Sequence, residues 1–194
     1  MKEETRIKSS NGHDSIYVTV WLPDCEPVGV LQIAHGMCEF IDRYAPVAEF
    51  FNSKGFVVVG NDHIGHGKTA PCADKLGIFD APELSAVPVR DMKLVTDYAK
   101  ERFPNLPYWL LGHSMGSFFS RRYTMEDGEG LSGVIFMGSG SQSPGLLKTV
   151  VKVFAGMEKL LGADFRLPGT ALLSKMGYNK KIKNPQTPVD WLSA

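Results

Sequence analysis

The sequence predicts an α/β fold in which helices cover both faces of a mainly parallel β-sheet. Four nearly continuous apolar stretches are the candidate strands: 28–36, 56–63, 108–113 and 133–140. Such runs are typical of strands that are buried on both faces. Segments with helical spacing lie at 44–55, 84–103 and 114–126. Because strands and helices alternate along the chain, a parallel sheet with helical crossovers is the favoured architecture.

The first part of the chain gives clear boundaries for these elements. Residues 15–23 alternate and are rich in β-branched side chains, which predicts a half-buried strand that Pro23 ends. Apolar residues recur at helical spacing in the segment 44–55, and Gly55 suits the C-terminal cap of that helix. The buried strand 56–63 then follows this glycine directly.

The next elements are bounded in the same way. An apolar stripe along 84–103 predicts a helix that Pro88 starts or kinks. The run "YWLLGH", 108–113, predicts a third buried strand, and a helix begins directly after it. Either Gly128 or Gly130 lies beyond the end of that helix, before the fourth buried strand.

The pattern changes after residue 140. An amphipathic helix is predicted from Pro144 to Phe165, and a loop-rich, basic stretch without a strand follows it. We therefore predict two regions: the core of the fold in 1–140, and a lid or the beginning of an insertion in 141–194.

Composition excludes several classes of protein. The 194 residues suffice for one sizeable core, and 21 basic residues balance 21 acidic ones, which argues against a nucleic-acid partner. The charged N-terminus lacks an apolar signal segment, and no apolar run has the ~20 residues of a membrane anchor. Cys25, Cys38 and Cys72 lack CxxC spacing, which predicts reduced thiols in a cytoplasmic protein and disfavours a zinc site.

One motif carries the chemistry. Gly112-His113-Ser114-Met115-Gly116 is the only G-x-S-x-G match, and it lies between a predicted buried strand and a predicted helix. That context is typical of a nucleophile elbow, in which a sharp turn exposes the serine hydroxyl and bulky neighbours would clash. We predict that Ser114 is a nucleophile; the alternative is an ordinary glycine-rich turn.

A serine nucleophile that transfers acyl groups needs donors for the oxyanion. One is expected from the backbone N–H after the nucleophile, Met115, and the other from the loop after an earlier strand. The loop that contains His35 and Gly36 follows the strand at 28–34, so the Met37 N–H is the predicted second donor. Both loops follow the C-terminal ends of strands, as does "NDHIGHGKT", so all three are expected at one edge of the sheet.

With these motifs, the chain resembles the α/β-hydrolases of the monoacylglycerol lipase and lysophospholipase-like group. The same group is also described as the serine aminopeptidase-like hydrolases. The motifs that carry the resemblance are "AHGMCEF", "VVGNDHIGHGKT" and "YWLLGHSMGS". It covers residues 15–140 well and extends loosely to the cap that this family inserts after its sixth strand. It implies hydrolysis of a lipid-like or acyl ester, with Ser114 as nucleophile and Met37 and Met115 as oxyanion donors.

The resemblance also implies an acid and a histidine after the cap, in the order Ser, acid, His. The 194 residues contain no histidine after His113, and they end within the predicted cap. The triad acid and histidine are therefore absent, and we expect an incomplete fold that lacks its last strands and helices. His113 is a poor substitute base, because adjacent side chains on an elbow diverge. A metal site at Asp62, His63 and His66 is disfavoured, since histidines on such a loop are more often structural.

Three hypotheses remain open for function. The chain is a fragment of an ester hydrolase, a non-catalytic remnant that binds an acyl ligand or a protein partner, or one part of a split enzyme that a complementing chain or oligomer completes. No organic cofactor is implied, because the glycine-rich stretch 133–145 matches neither G-x-G-x-x-G nor a phosphate-binding loop.

Overall fold

The computed structural model describes residues 1–78, 86–141 and 143–162. The chain divides into two compact units, Met1–Gly140 and Ser141–Ala194, which are considered separately below. The predicted start of one helix at Leu84, the predicted end of another at 163–165 and the basic stretch 166–194 lie outside the described residues.

The first unit contains a six-stranded sheet in the order β1-β2-β4-β3-β5-β6. Its strands are β1 Lys2–Lys8, β2 Ser15–Trp21, β3 Gly29–Ala34, β4 Phe56–Asn61, β5 Tyr108–His113 and β6 Gly133–Met137. The four strands β4, β3, β5 and β6 are parallel, whereas β1 and β2 pair in antiparallel fashion at one side. The prediction of a mainly parallel sheet is confirmed.

Helices cover both faces of this sheet, as predicted. They are α1 Ala45–Asn52, α2 Ala86–Arg102 and α3 Met115–Asp127, with a 3-10 turn at Ile41–Tyr44 before α1. Ala48 of α1 packs on one face with Leu31 and Ile33 of β3. Val95 of α2 packs on the opposite face with Val30. Successive residues of β3 therefore serve two different cores, which explains its nearly continuous apolar sequence.

Strand β1 is not predicted by the sequence. Its residues Lys2–Lys8 are mostly charged, yet every one of them pairs with β2, from Lys2 opposite Trp21 to Lys8 opposite Ser15. It lies at the edge of the sheet with alternating exposed and half-buried side chains. A charged sequence is compatible with a strand there, because an edge strand does not have to enter the core.

Strand β6 corrects one expectation. Its sequence predicts a strand buried on both faces, but Ile135, Phe136 and Met137 are 42%, 44% and 46% exposed. Among the described residues β6 pairs only with β5, so one edge and part of each face lack a neighbour. An apolar parallel strand of this kind is a site for pairing with further polypeptide.

The described part of the second unit is the helix α4, Pro144–Leu161. The hydroxyl of Ser143 accepts a hydrogen bond from the Leu146 N–H at 3.3 Å, and Pro144 occupies the first turn, where its missing N–H has no cost. The helix ends at Leu161, four residues before the predicted end, and its C-cap is Gly162, with a φ of 87°. No helix in the described ranges is both long and apolar enough to cross a membrane.

Candidate active site

Ser114 occupies a sharp turn between a strand and a helix. It follows the last residue of β5 and precedes the first residue of α3, with φ 49° and ψ −116°. Its N–H donates to the Met137 carbonyl of β6 at 2.9 Å. A serine at positive φ is strained and persists only where its surroundings enforce it. Strain of this kind is common at functional sites.

The two glycines of the motif are required by close packing. A Cβ atom on Gly116 would collide with the Ala34 carbonyl at the end of β3. A Cβ atom on Gly112 would collide with the Ser120 hydroxyl and lie 2.6 Å from the Gly116 carbonyl oxygen. The first turn of α3 therefore approaches the sheet more closely than a side chain at position 112 or 116 would permit. This close approach places Ser114 at the ends of the strands.

The loop after β3 lies directly against Ser114. A Cβ atom on Gly36 would be 3.2 Å from the Ser114 Cβ and 3.2 Å from the His113 Nδ1. Met37 follows Gly36 in a turn, and Met115 is the first residue of α3. The structure thus brings together the two segments that were predicted to supply the oxyanion donors. The positive end of the α3 helix dipole adds to the suitability of this position for a developing negative charge.

Glu39 and Tyr44, for which the sequence predicts no role, join this site. Glu39 Oε2 accepts from the Gly36 N–H at 2.8 Å and from the Tyr44 hydroxyl at 2.8 Å, and lies 3.1 Å from His113 Nδ1. Burial by itself would raise the pKa of the Glu39 carboxyl, but these hydrogen bonds outweigh it and lower the pKa. Glu39 belongs to the segment "AHGMCEF", so its position near the site could have been inferred, but its partners could not.

A second buried carboxylate organises the loop after β4. The two oxygens of Asp62 each accept a backbone N–H at 2.6 Å, one from Ile41 and one from Lys68. The Thr69 hydroxyl donates to the Asp62 carbonyl at 2.7 Å. Burial raises the pKa of the Asp62 carboxyl, and these backbone hydrogen bonds counter the shift. Both oxygens are engaged in fixing the loop.

The buried histidines connect the loops after β3 and β4. His35 lies with Nδ1 2.7 Å from the Gly36 carbonyl oxygen, and its Nε2 accepts from the His63 N–H at 3.0 Å. This pattern requires a neutral ring protonated on Nδ1. Burial lowers the pKa of His35 to about 4 and that of His63 well below its usual value. His66 Nδ1 lies 3.0 Å from the Ile64 carbonyl oxygen, so it too has a backbone contact.

A general base for Ser114 is not present in the described part of the chain. No imidazole there forms a hydrogen bond with the Ser114 hydroxyl, and the ring of His113 faces Glu39 and Tyr44 instead. No group of three histidine, cysteine or acidic side chains in the same part could hold a metal ion. The described part of the site therefore contains a strained serine without a group to accept its proton.

The parallel sheet, the helices on both of its faces and the serine on a strand-turn-helix define the α/β-hydrolase class. The chain belongs to the Hydrolase_4 family, serine aminopeptidase S33, whose family model matches residues 25–187.

Several relatives are ester hydrolases by name. The chain is 38% identical over 101 residues to a monoacylglycerol lipase of Mycolicibacterium smegmatis, over 52% of this chain and 34% of the relative. It is 29% identical over 162 residues to a monoglyceride lipase of Rattus norvegicus, over 81% of this chain and 48% of the relative. A thermostable carboxyl esterase from Bacillus coagulans superposes with a TM-score of 0.81 and 32% identity, over 98% of this chain and 61% of the esterase. The chain thus spans about half or less of the length of these two lipases.

The close approach of α3 to β3 can be tested with Gly116→Ala. We expect this variant to lose about 1–3 kcal/mol in free energy of unfolding, because the added methyl group must displace the Ala34 carbonyl. Gly140→Ala is the matched control, because a Cβ atom on Gly140 has no heavy atom within 4 Å. Urea denaturation measures both. Equal stability of the two variants would contradict the packing argument.

The neutral state of His35 predicts a pH dependence. An unfolded histidine takes up a proton near pH 6.5, whereas folded His35 remains neutral down to about pH 4. The stability that His35 contributes is therefore present above pH 6.5 and is lost as the pH falls from 6.5 to 4, by up to ~1.4 kcal/mol per pH unit. His35→Gln should flatten this decline in urea denaturation, and the exposed His13→Gln should not. If the free energy of unfolding falls with pH in the same way in both variants, His35 binds its proton equally well in the folded and the unfolded protein.

Proposed function

We propose that this chain carries the nucleophile and the oxyanion donors of a serine hydrolase that acts on carboxylic esters. The observation that carries the proposal is the conformation of Ser114, held at positive φ between β5 and α3 with the Gly36 loop against it. A strained serine without a function would relax or be replaced by glycine at low cost.

The proposed chemistry is acyl transfer through a covalent intermediate. The Ser114 oxygen attacks the ester carbonyl carbon, and the carbonyl oxygen becomes the oxyanion of a tetrahedral intermediate. The N–H groups of Met37 and Met115 stabilise that charge as hydrogen-bond donors. Collapse of the intermediate releases the alcohol and leaves an acyl ester on Ser114, which water then hydrolyses to the acid and the free serine.

The serine proton needs an acceptor, because serine is a weak nucleophile near pH 7. We propose that the acid and the histidine of the triad come from polypeptide that the 194 residues do not include, either a continuation of the same chain or a complementing chain. The absence of a histidine after His113 supports this. The exposed apolar strand β6 supports it as well, since further strands of a sheet would pair there.

The names of the relatives support a substrate class. They include monoacylglycerol lipase, monoglyceride lipase and carboxyl esterase, so we propose monoacylglycerol or a similar acyl ester as substrate. The resemblance of the sequence motifs to the lysophospholipase-like group adds a lysophospholipid to this proposal. The three exposed thiols, Cys25, Cys38 and Cys72, support the proposal of a reducing, cytoplasmic compartment.

The nucleophile can be tested by covalent labelling. A fluorophosphonate should form an adduct at Ser114 of the folded chain when imidazole is added as the missing proton acceptor, because this reagent reacts as an acyl donor does and places its oxygen among the same donors. Mass spectrometry of proteolytic peptides locates the adduct. Ser114→Ala should abolish it, and a control at the exposed Ser53, Ser53→Ala, should retain it. Adducts spread over several serines, or equal labelling after denaturation, would favour a non-catalytic remnant.

The Met37 donor can be tested by removing its N–H. Met37→Pro lacks the backbone donor, whereas Met37→Ala retains it and changes only an exposed side chain. We expect the labelling rate of Ser114 to fall about 100-fold in the proline variant, the usual cost of one oxyanion donor, and to remain near wild type in the alanine variant. Similar rates for all three proteins would exclude Met37 as a donor.

A further inference from the structure

We infer that Glu39 is a positioning residue whose carboxylate holds the oxyanion loop against the nucleophile elbow. The inference rests on the proposed function, because it assigns Glu39 to the geometry around Ser114. It concerns a residue that does not touch the reacting atoms.

One oxygen atom of Glu39 collects contacts from three separate segments. Oε2 accepts from the Gly36 N–H after β3 at 2.8 Å and from the Tyr44 hydroxyl before α1 at 2.8 Å. It also lies 3.1 Å from the Nδ1 of His113, the residue that precedes Ser114 at the end of β5. The Tyr44 hydroxyl in turn lies 3.0 Å from the same Nδ1, which closes the cluster.

The chemistry of this cluster favours a charged carboxylate. Glu39 is buried, and a buried carboxylate is tolerated when hydrogen-bond donors surround it. Hydrogen bonds to an ionised acceptor are roughly twice as strong as neutral ones. Removing the carboxylate would leave the buried Gly36 N–H and the Tyr44 hydroxyl without this acceptor, a cost that movement of the loop would relieve.

The backbone conformation of the loop after β3 explains why this loop needs the contact with Glu39. Cys38 adopts a φ of 60°, a left-handed conformation that is uncommon outside glycine and asparagine. Glu39 follows Cys38 directly, and its side chain folds back on the N–H of Gly36, three residues earlier. The carboxylate thereby closes the turn that contains Met37 and attaches this turn to His113.

The contact acts on Ser114 through two neighbours. Gly36 and His113 each contact both Glu39 and the elbow, and a Cβ atom on Gly36 would lie 3.2 Å from the Ser114 Cβ. A shift of the loop would move the proposed Met37 donor relative to the serine oxygen. Misplacement of about 1 Å in such a site costs up to ~100-fold in rate.

The experiment compares Glu39→Ala and Glu39→Gln in the full chain with Glu49→Ala, an exposed glutamate of α1, as the control. The first measurement is the rate of fluorophosphonate labelling at Ser114 with imidazole added as the proton acceptor. We expect it to fall at least tenfold in Glu39→Ala, to be partly rescued in Glu39→Gln, which retains one acceptor oxygen, and to be unchanged in Glu49→Ala.

The second measurement is the amide spectrum of the ¹⁵N-labelled protein as a function of pH. The Gly36 amide proton should shift as Glu39 titrates below its usual pKa, and the His113 amide should follow the same curve. Glu39→Gln should remove both transitions while the protein remains folded. If Glu39 contributed only to overall stability, its replacement would change the unfolding midpoint, but the Gly36 and His113 amide signals would not shift together with pH.

The outcomes separate the two proposals. Wild-type labelling rates in both Glu39 variants, or a Gly36 signal that does not report a carboxyl titration, would overturn the positioning role while leaving the proposed function intact. If wild type and Ser114→Ala label equally, the proposed function fails, and the linked titration of Gly36 and His113 still decides whether Glu39 joins the two loops. If Glu39→Ala does not fold, the glutamine variant decides both measurements.

Discussion

The first turn of α3 lies against the carbonyl of Ala34 with only the hydrogen atoms of Gly116 between them, and the geometry of the site depends on this contact. It brings the helix N-terminus down to the end of β3, so the chain must turn sharply at Ser114 to leave β5. The strain at Ser114 is the consequence of that turn, and the surrounding sheet and helix enforce it. Gly36 can approach Ser114 because the strands β3 and β5 are neighbours and end at the same edge of the sheet.

The polar groups beneath this edge are divided between charged and neutral states. Glu39 is held as a carboxylate by donors from three segments, whereas His35 and His63 are held as neutral rings by burial. The charge of each group suits the hydrogen-bonding groups around it. A carboxylate can collect N–H and O–H donors from different loops, and the neutral imidazole of His35 can donate to the Gly36 carbonyl and accept from the His63 N–H. Together they fix the loops after β3 and β4 without placing a positive charge in the core.

Most of the strands could be predicted from the sequence because buried strands consist of nearly continuous runs of apolar residues. Strand β5 has the predicted bounds, since a run of apolar residues ends at a glycine motif on one side and follows Pro107 on the other. The charged strand β1 could not be predicted, because its only requirement is backbone pairing with β2. The exposure of β6 could not be predicted from its composition either, because burial depends on a neighbour that the strand itself does not specify.

The sequence by itself determined the class of fold, the serine motif and the loops that reach the site, because hydrophobic period and glycine spacing are local properties of the chain. Only the tertiary structure decided that Glu39 and Tyr44 meet His113, and that the ring of His113 faces them and not Ser114. Residues 39 and 113 are far apart in sequence, and no local pattern encodes a contact that depends on how two strands are placed side by side.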